Sequence, residues 1–275
     1  MADLVDSSAI SRAALRDAAE RILAKAKKSY SSPALVVRTN ESEYGHLDLE
    51  FYRRFQEILE AKGYRFLSDV KILGISDTPD SPLVPTMIRS MVSRDGTTKA
   101  GHYQATPRMR RRVTTVLAGI LTLRFLTQPR RFLQSLTTKQ CDDFESEIAG
   151  TYIVTSNAEG AQTIGMPKAI DTRFFPYGTP LEEVRAAHEA RLKAAIKRTG
   201  AAPTTMTTLE DTFAMGARLK ELKNAHRAAS SWVTQDELRA AANGDVALAD
   251  AIFKEIQAIL AEERNASGAQ LSRPA

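Results

Sequence analysis

The chain has 275 residues, 43% hydrophobic and 26% charged, with 14 Gly and 11 Pro. This is enough to bury a core in one domain with an appendage or in two small domains, and it excludes disordered, collagenous and low-complexity classes. The net charge is +5, and a single cysteine, Cys141, excludes an intramolecular disulfide framework and a multi-cysteine zinc site.

In chain order, residues 8–29 read as a helix with Ile10, Ala14, Leu15, Ala18, Ile22 and Leu23 on one side. Residues 34–37 form a short apolar strand after Pro33. Leu47, Phe51, Phe55, Ile58 and Leu59 then repeat at helical spacing, which predicts a helix over 47–62 closed by Gly63. The period next changes to two: Tyr64, Phe66, Val70 and Ile72 alternate with Arg65, Asp69 and Lys71, as in a strand with one buried face. Residues 87–93 and 99–104 flank Asp95-Gly96, a strong hairpin signal. A second hairpin is expected over 144–157, turning at Ala149-Gly150, and 158–178 reads as loop, so that the sheet ends there.

The rest of the chain is helical in pattern. Thr179, Pro180 and Glu182 read as a capped start of a helix reaching Arg198. Further helices are expected over 209–229, after the capping box Thr234/Glu237, and from Asp245 onward, where Ala249, Ile252, Phe253, Ile256, Ile259 and Leu260 form a stripe. Strands first and helices afterwards predict an α+β fold, with a mainly antiparallel sheet, flanking helices and a C-terminal helical extension. The expected divisions are a sheet domain at 1–200, the extension at 201–264 and a disordered tail at 265–275.

The charge is unevenly placed. From Gly96 to Cys141 there is no Asp or Glu, while Lys99, Arg108, Arg110, Arg111, Arg112, Arg124, Arg130, Arg131 and Lys139 give that run +9 against −4 for the remainder. An anionic partner is therefore sought on Arg108, Arg110, Arg111, Arg112, Arg124, Arg130 and Arg131. Val113, Val116, Leu117, Ile120 and Leu121 fit a helical stripe, whereas Thr114, Thr115 and Thr122 favour a strand. These arginines also have carboxylates within reach in sequence, at Asp142, Asp143, Glu145 and Glu147.

The leading functional expectation is a non-catalytic interaction protein that engages an anionic membrane surface or an acidic protein through 96–141. Nucleic acid is a weaker expectation, since the aromatics Tyr103, Phe125 and Phe132 make no stacking platform. An alternative is a small-molecule enzyme using His188 or His46 as acid or base, with arginines holding an anionic substrate. His188 lies on the apolar stripe Leu181, Val184, Leu192 and Ala195, which also suits a satisfied core histidine. Self-association through the C-terminal helices is a third option. Cys141 is a poor nucleophile, because Asp142 and Asp143 would raise its pKa. There is no GxxxxGK[ST], GxGxxG or HExxH, so no cofactor or metal is expected. The longest uncharged apolar stretch, 113–123, falls short of the roughly 20 residues that span a bilayer. Cysteine usage and an N-terminus without a signal point to the cytoplasm, with peripheral membrane attachment as a variant.

Overall fold

The computed structural model describes residues 11–31, 35–73, 81, 83–109, 136–158, 166–242 and 245–271. The elements are α1 (Arg12–Ser31), β1 (Val36–Arg38), α2 (Leu49–Glu60), β2 (Arg65–Ile72), β3 (Ile88–Val92), β4 (Lys99–Ala105), β5 (Lys139–Ile148), β6 (Thr151–Ser156), β7 (Ile170–Phe174), α3 (Leu181–Thr199), α4 (Leu209–Ala229), α5 (Gln235–Ala241) and α6 (Val246–Leu271). A short 3-10 helix, Glu41–Tyr44, precedes α2. The fold is α+β: one seven-stranded sheet in the order β1 to β7, antiparallel except where β7 joins β6 in parallel.

The chain divides into two compact units. The sheet unit comprises Ala34–Gln162 and Lys168–Leu219, and the helical unit comprises Met1–Pro33, Thr163–Pro167 and Lys220–Ala275.

In the sheet unit, the apolar positions of α2 and α3 select one face of the sheet. Phe55 and Leu59 of α2 and Val184 of α3 pack with Met91, Ala100 and Phe144, residues that lie side by side on β3, β4 and β5. Leu192 and Ala195, further along α3, cover Ile148 and Ile153. The hairpin at Asp95-Gly96 forms as its sequence requires, with Gly96 at φ +73°, and the second turns at Ala149-Gly150. Arg89 on β3 is 4% exposed; its guanidinium bonds Asp69 at 2.9 and 2.7 Å and Glu41 at 2.8 Å, tying β2, β3 and the 3-10 helix together.

Three features depart from the sequence reading. Strand β5 starts at Lys139, five residues earlier than the hairpin pattern implied, because it pairs along the whole of β4 as well as with β6. The 158–178 stretch contains β7, whose partner is β6 and whose Asp171 is held from α3 by Arg191 at 2.8 Å. At α3 the N-cap is Pro180 rather than Thr179, with no side-chain cap: the Thr179 hydroxyl donates instead to the Pro176 carbonyl at 2.8 Å.

The helical unit has its own core. Ala19 and Leu23 of α1 pack with Val233, Leu238 of α5, and Ala249, Ile256 and Ile259 of α6. The first helix, read above with the sheet domain, thus groups with the C-terminal helices. The Thr234/Glu237 capping box is present, and the last helix continues to Leu271. No helix among the described residues is long and apolar enough to cross a membrane.

Candidate functional site

The antiparallel register of β4 and β5 places His102 directly opposite Asp142. Side chains directly opposite in such a pair stand within contact distance on one face, and here Nδ1 of His102 lies 2.7 Å from Asp142 Oδ1. Asn157, just past the end of β6, donates to Asp142 Oδ2 at 2.9 Å and accepts from the Asp142 backbone N–H at 2.7 Å. The carboxylate is therefore held from two sides, and in the neutral ring its bond places the imidazole proton on Nδ1. Nε2 is left as an acceptor lone pair.

His102 is 3% exposed, stacked on Phe55 with ring centroids 5.0 Å apart and edge-on to Tyr52 at 4.9 Å. Its Nε2 is buried and has no hydrogen-bond partner among the described residues. A buried polar atom without a partner forfeits about 1–3 kcal/mol, so such an atom calls for an explanation.

His102, Asp142 and Asn157 line a cavity of about 410 Å³, walled by Phe51, Phe55 and Ile58 of α2 and closed by residues 178–182 at the start of α3. Arg54 stands at its rim, exposed, with no ion pair among the described residues. Glu182 also lines it, but is engaged by Arg185 at 2.8 Å and Lys62 at 3.6 Å. The cavity volume falls within the ordinary range for small-molecule sites. An imidazole oriented by a carboxylate, with the other nitrogen unshared, is equipped to take a proton from a hydroxyl, amine or thiol and return it.

The other histidines are differently placed. His188 is fully buried, and both ring nitrogens are committed: Nδ1 to Thr155 Oγ1 at 3.1 Å and Nε2 to Ser146 Oγ at 2.9 Å. Arg191 donates to Thr155 Oγ1 at 2.5 Å, which frees the threonine hydroxyl to donate into Nδ1. Burial, with Arg191 close by, pushes the imidazole down to about 3, and it does not line this cavity, so His188 is a satisfied core residue. His46 is exposed, with Nε2 2.8 Å from the Pro85 carbonyl. Cys141 is buried, and its thiol is pushed up to about 12 by burial and by Asp143, which makes it inert.

Of the basic run, Arg110, Arg111, Arg112, Arg124, Arg130 and Arg131 lie outside the described residues, as does the choice between strand and helix for 113–127. Its described members face inward contacts: Lys99 pairs with Glu145 at 2.8 Å, Arg108 donates to the Leu83 carbonyl at 2.8 Å, and Lys139 sits 4.9 Å over the Tyr177 ring. No group of three metal-ligating side chains occurs among the described residues.

Neither His102 nor Asn157 stands in a local motif that marks it as functional. The signal that could have joined them is the placement of His102, Asp142 and Asn157 on three neighbouring strand segments, but using it requires the β4–β5 register. Compared with known protein families, curated proteins and solved structures, the chain matches none.

Proposed function

We propose that the sheet unit binds a small molecule in the α2/α3 cavity and uses His102 as an acid/base group on it, with Arg54 receiving an anionic end of the ligand. The observation that carries this reading is the unpartnered Nε2 of His102 behind a cavity of about 410 Å³. Among the described residues no group uses that lone pair, whereas the equally buried His188 has both nitrogens satisfied. The ligand class is a carboxylate or phosphate ester carrying a hydroxyl or amine close to its charge.

The test is a thermal-shift screen of hydroxy acids and phosphomonoesters, followed by titration calorimetry of the hits on wild type, Arg54→Gln and His102→Gln. Binding tenfold or more weaker in both variants, equivalent to about 1.4 kcal/mol, is the expected result. Arg54 is exposed, so its variant keeps the fold. Hits that bind Arg54→Gln and His102→Gln as tightly as wild type, or a screen without hits, would remove the proposal.

A second reading retains the anionic membrane surface or acidic protein as partner of Arg110, Arg111, Arg112, Arg124, Arg130 and Arg131. The observation favouring it is the acid-free run from Gly96 to Cys141. Binding of that kind weakens steeply as salt is raised.

A further inference from the structure

The opposite face of the same strands carries a second cavity, of about 320 Å³. Its walls are mostly apolar: Ile72 of β2, Ile88 of β3, Tyr103 and Ala105 of β4, and Leu83 from the preceding loop. Register explains why space exists there. Gly101 on β4 stands opposite Asp143 on β5, so no side chain stands directly across from that carboxyl, and a β-carbon at Gly101 would meet Ile88 Cγ2 at 3.3 Å.

The polar groups of this cavity do not balance. Lys99 and Glu145 also line it, and they neutralise one another at 2.8 Å. Asp143 remains, hydrogen-bonded by the Ser156 hydroxyl across the β5–β6 pair, with no ion pair to any described cation. A carboxyl group set in apolar walls, with no counter-ion among the described residues, suits a cation that brings its own apolar body.

We propose that this cavity is a second ligand site, independent of His102, that takes a small hydrophobic amine with its ammonium on Asp143 and its apolar body against Ile72, Ile88 and Tyr103. Burial pushes the Asp143 carboxyl up to about 7. The groups facing it are Lys99 and Tyr103 on β4, Cys141 and Glu145 on β5 and Ser156 on β6; Asp142, next in sequence, points to the other face. Of these, Tyr103 and Cys141 are themselves held neutral by burial. The ammonium therefore finds its partner charged above pH 7 and protonated well below it.

The experiment is calorimetric titration of the full chain with benzylamine, benzyl alcohol and phenylacetate, which share a ring and differ in charge, at pH 5.5 and pH 8.5. Benzylamine stays protonated over most of that range. Its expected affinity is at least about tenfold higher at pH 8.5 than at 5.5, and higher than that of either other probe at pH 8.5. Asp143→Asn should abolish the difference between benzylamine and benzyl alcohol, and Ala105→Leu, which fills the cavity, should weaken both. The pH comparison uses wild type alone and does not depend on either variant folding. Absence of saturable binding, equal affinity for the amine and the alcohol at pH 8.5, or amine binding unchanged in Asp143→Asn would each overturn the assignment.

Discussion

At Gly96 the backbone turns through φ +73°, and a β-carbon there would lie 2.8 Å from the Met206 carbonyl oxygen. The turn is also a docking point, because Gly96 O accepts from the Met206 N–H at 2.8 Å. Gly96→Ala therefore meets both a disfavoured conformation and a steric clash, and should lower stability by more than about 1 kcal/mol; urea unfolding followed by circular dichroism measures it, and an unchanged midpoint would contradict the close approach. The glycine was legible as a hairpin signal, but its contact with Met206 was not, since 110 positions separate the two. The histidines divide in the same way. His188 reads as core because its apolar neighbours recur every turn of one helix. His102 does not, because its partner lies 40 positions away on another strand.

Among the elements, those that carry their own boundary chemistry were readable. The Thr234 box at α5 is an example: Thr234 Oγ1 accepts from the Glu237 N–H at 3.3 Å, and Glu237 reaches back to the Thr234 N–H at 2.8 Å. The same Glu237 binds Arg227 of α4 at 2.6 Å, and Arg227 is only 4% exposed. Thr234→Ala should then cost the helical unit about 1 kcal/mol, and Glu237→Ala clearly more, since it also removes a carboxylate from a buried guanidinium. Equal losses in urea unfolding would mean that the Arg227 contact contributes nothing. Strand β7 escaped the sequence reading for a related reason. It has only five residues between Gly- and Pro-containing turns, and what makes it a strand is the edge of β6 and the grip of Arg191, neither of which is local.

For the whole molecule, His188 and Asp143, both desolvated, set opposing pH dependences. Unfolded His188 takes a proton near its usual 6.5, whereas the folded ring refuses one until about 3, so its contribution is complete above 6.5 and lost as pH falls through that window. The folded Asp143 carboxyl keeps its proton up to about 7, while the unfolded one loses it near 3.8, so this group lowers stability as pH rises through its window. Each slope is about 1.4 kcal/mol per pH unit, and between about pH 4 and 6.5 they cancel. His188→Gln should expose a decline of stability with rising pH over that range, and Asp143→Asn a gain; urea midpoints at pH 4.5 and 6.5 that shift alike in wild type and both variants would refute the pairing. The pairing of α1 with α6 sets a schedule as well as a packing. In the sheet each antiparallel strand finds its partner in the strand before it, but 214 residues separate Ser31 from Val246. At about 5–20 residues per second, a ribosome needs roughly ten to forty seconds between finishing α1 and starting α6. Throughout that interval Ala19 and Leu23 await the surface that will cover them, so the nascent chain exposes this stripe to chaperones long after the first hairpins have partners.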